Sequence, residues 1–213
     1  MFEIKNLSIS FGGISVLKNI NLTIDKGDRI GISGGNGSGK STLINAATGF
    51  VSSSLGNFYF NNHKTSNLPP WEIHQLGISR TFQNARFQKS VILIEQLTLD
   101  TSKKKYALEL CSETGIMQYL HKFPTDVPFQ VLKKFEVVRA LTVSPQILFL
   151  DEPSAGLTNS ELIEMSKFIK NRLPTNSSLI LVEHREEMMK LLTSRTFKLE
   201  QGIITQIVDK YHA

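Results

Sequence analysis

The sequence predicts a two-part α/β fold: a core built on a parallel sheet, an N-terminal antiparallel β-subdomain, and a small helical subdomain inserted between core segments. Three observations carry this. Strand-like alternation of apolar and polar residues fills FEIKNLSIS and VLKNINLTI in the first third of the chain. The apolar run RIGIS leads through a glycine-rich stretch into KSTLINAAT, a strand, loop and helix in succession. Further on, the short apolar runs ILFL and LILV flank an amphipathic helix pattern, as strands buried on both faces do.

Taken in order, Phe2–Ser10 alternates, the FGG triplet at residues 11–13 turns the chain, and Val16–Ile24 alternates again. Lys26–Asp28 turns into the buried strand Arg29–Ser33, and the helix after the glycine-rich loop runs through Thr48. Ser52–Asn62 reads as a turn and a strand. Pro69 and Pro70 suit the first turn of a short helix ending at Leu76, because proline there forfeits no helical hydrogen bond. Ile78–Gln83 returns to a strand. From Asn84 to about Asp126 strand signals give way to helix formers such as KKKYALELC. The helical subdomain is therefore set at residues 84–131, leaving 1–83 and 132–213 for the core and β-subdomain. Helical spacing over Phe135–Leu141, a buried strand over Ile147–Leu150, an amphipathic helix over Ser160–Leu173 and a buried strand at Ser178–His184 follow. Thr196–Val208 reads as a hairpin turning at Gln201 and Gly202.

With 213 residues, 40% of them hydrophobic, the chain is long enough to bury a sizeable core. No window approaches the roughly 18 apolar residues of a membrane span. The first residues lack the basic start and apolar run of a secretory signal, so a cytoplasmic location is expected. The single cysteine, Cys111, has no partner for an internal disulfide and no metal-ligand spacing around it; a buried, unreactive residue is expected. The net charge of +5 is scattered, and its one cluster, Lys103–Lys105, reads as a solvated helix face. Direct nucleic-acid binding is not expected.

Two motifs carry chemistry. Gly34, Asn36, Gly37, Ser38, Gly39, Lys40 and Ser41 lie in a stretch matching G-x-x-x-x-G-K-[ST], between a predicted strand and a predicted helix. Glycines there let successive amide N–H groups and the helix N-terminus face a phosphate, Lys40 reaches the terminal phosphates, and Ser41 coordinates magnesium. In ILFLDEP a buried strand delivers Asp151 and Glu152 to its carboxyl end, where open α/β sheets bind ligands. Asp151 can hold magnesium, and Glu152 can take the proton of an attacking water.

With GGNGSGKST, GISRTFQNARF, VVRAL, LFLDEPSAGL and LILVEH in this order, the chain resembles the ABC ATPases over essentially its whole length. Within them it is similar to the subunits of branched-chain amino-acid transporters. The resemblance implies a P-loop NTPase with a RecA-like core, ATP and Mg2+ as ligands, and transmembrane permease subunits as partners at the cytoplasmic face of a membrane. It adds Thr42 to the phosphate-binding residues. It also implies that Phe11 stacks on adenine, that Gln83 sits by the magnesium with Ser41 and Asp151, and that His184 contacts the terminal phosphate. No guanine-specifying N-K-x-D is present, which disfavours a GTPase.

One part of the family pattern is missing. Such modules work as head-to-tail dimers in which a Ser-Gly-Gly signature of one subunit closes the phosphate loop of the other. Counted back from Glu136 and Arg139, the signature position here reads Val127, Pro128, Phe129, Gln130, Val131, and Gly115 is the only glycine between Gly77 and Gly156. Proline carries no amide hydrogen, and Gln130 adds a Cβ where the backbone would approach phosphate. A heterodimer with a second ABC subunit bearing an intact signature is therefore expected; a soluble ABC-type regulator or a non-hydrolysing nucleotide sensor is the alternative. The acid that the family carries after Ser-Ala-Gly-Leu is Thr158 here.

Overall fold

A computed structural model describes residues 1–83 and 86–207. Strands β1 (Phe2–Phe11) and β2 (Ile14–Ile24) pair antiparallel across the turn at Gly12 and Gly13, with Phe11 opposite Ile14. β3 (Arg29–Ser33) leaves that pair to begin a second sheet, and helix α1 (Lys40–Ala47) follows the glycine-rich loop. β4 (Leu55–Phe60) then returns to the free edge of β1, with the two-residue β5 (His63–Lys64) beyond it, so the first sheet runs β2-β1-β4-β5.

The second sheet gathers β6 (Ile78–Arg80), β7 (Ile147–Asp151), β8 (Ser178–Val182), β9 (Arg195–Glu200) and β10 (Ile203–Ile207) around β3 in the order β10-β9-β3-β8-β7-β6. All its pairings are parallel except β10 against β9. The carboxyl ends of β3, β6, β7 and β8 therefore share one edge, and this collects the functional residues.

Strand β7 shows why the sheet is sandwiched. Its side chains alternate faces: Ile147 and Phe149 enter the core shared with the antiparallel sheet, while Leu148 and Leu150 enter the core under the helices. Phe2 meets Phe149 edge-on at 5.9 Å and ties the two sheets together. The other face is covered by α4 (Phe129–Thr142), α5 (Asn159–Arg172) and α6 (Glu186–Leu192), with α3 (Lys104–Glu113) packed on α4. The short α2 (Pro70–Gln75) starts at its prolines as the sequence indicates.

Differences from the sequence reading are local. α6 and β5 were not anticipated: α6 is short, and β5 has only two residues. β6 ends at Arg80 instead of Gln83, because Thr81 turns its hydroxyl to the Asp151 N–H and Arg80 folds its guanidinium onto Thr81 O. α4 starts at Phe129, six residues before the run that its apolar spacing marks, since Pro128 supplies a ready helix start. The division at residue 131 thus falls in the first turn of α4. Asn84 at the other division, and Val208 at the end of the hairpin, lie outside the described residues. Cys111 is fully buried on α3, and burial pushes its thiol up to about 12.

Candidate functional site

The glycine-rich loop leaves β3 and enters α1, whose first turn holds no acidic residue and no side-chain cap, so its N–H groups are open to an anion. Two glycines are fixed by close approach. A Cβ on Gly34 would lie 2.3 Å from Leu199 O, and one on Gly39, at φ 105°, would lie 2.8 Å from Leu17 Cδ2. Gly34→Ala is therefore expected to lower stability by about 1–3 kcal/mol through overpacking against backbone, read as a drop in denaturant midpoint; an unchanged midpoint contradicts this packing. Lys40 is 5% exposed and donates to Gly34 O at 2.8 Å and Gly35 O at 2.9 Å, arching across the loop. Its burial lowers its pKa, and Glu152 and Asp151 draw it back up.

Opposite the loop, β7 ends in Asp151 and the chain turns at Glu152, a non-glycine residue at φ 49°. Such backbone strain costs of order 1–3 kcal/mol and gathers at functional sites. Its two carboxylate oxygens are engaged separately: Gln83 Nε2 donates to Oε2 at 3.1 Å, and His184 Nε2 stands 3.2 Å from Oε1. Gln83 and His184, which the family resemblance singles out, thus converge on the carboxylate that the strand-end motif marks, and it keeps 20% of its surface exposed. Phe11 is not part of this cluster; it stands half exposed at the end of β1, on the hairpin whose Val16 and Leu17 lie against Gly39.

Asp151 is 1% exposed, and its Oδ1 has no hydrogen-bond partner. Burial raises its pKa, with Glu152 adding, while Arg80, Ser41 and Lys133 hold it down. A buried, unpaired carboxylate oxygen beside a serine hydroxyl fits magnesium, which takes one or two carboxylates and completes its shell with phosphate and water. Ser41, Gln83 and Asp151 are the residues that would hold it. Among the described residues no three His, Cys, Asp or Glu side chains cluster as a metal site of their own. Ser38 Oγ inside the loop is likewise buried without a partner.

Three supporting residues escaped the sequence reading. Arg80, its pKa lowered to about 10 by burial, lies 3.9 Å from Asp151 and donates to Asn45 of α1 and to Thr48 at its C-cap, so it braces the acid against the phosphate-loop helix. Glu183, 3% exposed, accepts from the N–H groups of His184, Arg185 and Ser154, fixing the turns that present His184 and Glu152. Lys133 is the third. An acid directly after the buried run LILV was a visible signal for Glu183; nothing local marks the other two. At the signature position Pro128 caps α4, and the half-exposed Phe129 ring lies against Gly156. Thr158 N-caps α5 in a reciprocal capping box with Glu161.

A lysine-bearing phosphate loop before a helix, with acids at the end of another parallel strand of the same sheet, defines a P-loop nucleoside-triphosphatase. Comparison with known proteins narrows this: the family described as ABC transporter matches residues 17–155, and the chain belongs to that family. It is 25% identical to the high-affinity branched-chain amino acid transport ATP-binding protein of Escherichia coli K12, over 95% of this chain and 89% of that one. It is 29% identical to an uncharacterized ABC transporter ATP-binding protein of Methanocaldococcus jannaschii, over 99% of this chain and all of that one. Among solved structures, a nucleotide-free ATP-binding cassette superposes with a TM-score of 0.86 at 24% identity, covering 97% of this chain and 90% of the other. A dimeric cassette bound to ADP and Pi gives 0.87 at 21% identity, covering 98% and 100%. Among the described residues no helix is long and apolar enough to cross a membrane.

Proposed function

We propose that this chain is the ATP-binding and ATP-hydrolysing motor subunit of a membrane transporter, working as one half of an asymmetric heterodimer on the cytoplasmic face of the membrane. The observation that carries the reading is the Glu152 carboxylate, held between Gln83 and His184 at the edge where Lys40 crosses the phosphate loop. There it can take a proton from the water that attacks the terminal phosphorus, as the bond from phosphorus to the bridging oxygen breaks. Lys40, the loop amides and the open N-terminus of α1 bind the phosphates, His184 steadies charge on the terminal one, and Phe11 offers a ring to the base. Magnesium, when bound, neutralises phosphate charge. Binding closes the dimer, and release of product reopens it.

The heterodimer follows from Pro128 and Phe129. A proline cap and a benzyl side chain stand where a signature would present a hydroxyl and bare amides to the partner's phosphate. Two such sites would turn over poorly; one such site beside an intact one leaves Glu152 and His184 in use. The test is a detergent pull-down of the tagged chain from its native membranes, followed by ATPase assay of the eluate and of the purified chain alone. Recovery of a membrane subunit and a second ABC subunit, with hydrolysis confined to the complex, is expected. Robust hydrolysis by the chain alone removes the asymmetric dimer. Recovery of soluble partners only turns the reading toward a nucleotide-driven regulator.

A further inference from the structure

Lys133 lies on the inner side of α4 and is 1% exposed, a place lysine rarely occupies unless paired. Its Nζ donates to Phe82 O at 3.0 Å and to Gln83 O at 2.6 Å, and stands 3.8 Å from Glu136, one turn along the helix. Glu136 is 6% exposed; burial pushes its carboxyl up to about 7, while Lys133, Arg139 and the amide N–H groups of Phe82 and Arg86 draw it back down. Lys133 therefore grips two successive carbonyls of the piece of main chain from which Gln83 reaches Glu152, with Glu136 beside it. A buried ion pair seldom repays its desolvation, so stability is a poor reason for this one. What it does secure is the position of two carbonyls beside the site.

We propose, on the hydrolytic reading of that site, that Lys133 is a positioning residue: with Glu136 it holds the main chain at Phe82 and Gln83 from α4, and so sets where the Gln83 amide meets Glu152. The same helix also touches the loop beyond Glu152, through Phe129 against Gly156. A partner that shifts the start of α4 thus acts both on the Gln83 main chain and on the loop that follows the reacting carboxylate.

Lys133→Met keeps most of the length of the side chain and removes its charge and donors. In the partnered complex kcat is expected to fall by about 10- to 100-fold, the scale of a misplaced reacting group, while KM for ATP changes little. Combined with Gln83→Ala, the two losses are expected not to add, because Lys133 acts through Gln83. Additive losses overturn the proposal. A second readout needs no turnover: the Gln83 side-chain amide resonance of the 15N-labelled full chain, identified by its disappearance in Gln83→Ala, is expected to move in Lys133→Met. An unmoved resonance overturns the proposal whether or not the chain hydrolyses ATP. A wild-type complex without Glu152-dependent turnover instead defeats the hydrolytic reading and leaves the resonance to decide the positioning role. Should Lys133→Met fail to fold, Lys133→Met with Glu136→Leu leaves no unpaired buried carboxylate and is read the same way.

Discussion

Glu152→Gln is expected to leave nucleotide affinity close to that of the unmodified chain and to cut turnover by the partnered complex about 10²- to 10⁴-fold, the contribution of a positioned general base. The amide has nearly the shape of the carboxylate, so the chain can keep its left-handed backbone at position 152. It can also still accept from Gln83 through its carbonyl oxygen. What it loses is the ability to take a proton. The charge beside Asp151 and Lys40 changes as well: Glu152 raises the pKa of both, which disfavours the charged form of the acid and favours that of the amine. Removing that charge leaves Asp151 easier to ionise and the Lys40 ammonium easier to deprotonate. The expected phenotype is a complex that binds ATP and stays closed, read by single-turnover hydrolysis beside equilibrium titration with a fluorescent ATP analogue. Turnover retained within tenfold would show that another group takes the proton.

Most of this site was legible in the sequence because its parts are local. A phosphate loop is nine consecutive residues whose glycines have a backbone reason to be there, and Asp151 and Glu152 follow a wholly apolar run that can only be a covered strand. The sheet order was not legible. Nothing in LILVEH says that β8 inserts between β3 and β7, yet that insertion brings His184 to Glu152. The supports were hidden for the same reason. Arg80 stands in a strand pattern and Lys133 just ahead of a helical run; each looks like an ordinary surface cation until the fold buries it against backbone and acid. The early start of α4 illustrates a conflict of signals. Apolar spacing marks the buried stretch from Phe135, whereas the first turn is set by Pro128 and leaves Phe129 half exposed, so periodicity alone finds the helix but not its beginning.

That first turn is where the second large effect is expected. Replacing Pro128, Phe129 and Gln130 by Ser, Gly and Gly should raise ATP turnover by the chain alone by about 100-fold or more, the reverse of what deleting one preorganised phosphoryl-stabilising donor costs. The fold can accept the change. Serine is a better helix N-cap than proline, worth about 0.5–2 kcal/mol relative to an uncapped residue. Two glycines in the first turn cost about 1 kcal/mol each relative to alanine, and removing the Phe129 ring opens the space over Gly156 without leaving a polar group buried. Loss of that ring also frees one face of Lys133, which lies 5.7 Å from the ring centre, but leaves its bonds to Phe82 and Gln83 in place. If the missing signature is what idles a dimer of this chain, the repaired chain should hydrolyse ATP at both sites and lose that activity on Glu152→Gln. In the native complex the same repair should do much less, because the site closed by the partner already works and a second active site at most about doubles the rate. A large gain alone and a small gain in the complex is the pattern that only asymmetry produces; equal gains in both would place the defect elsewhere than Pro128 and Phe129.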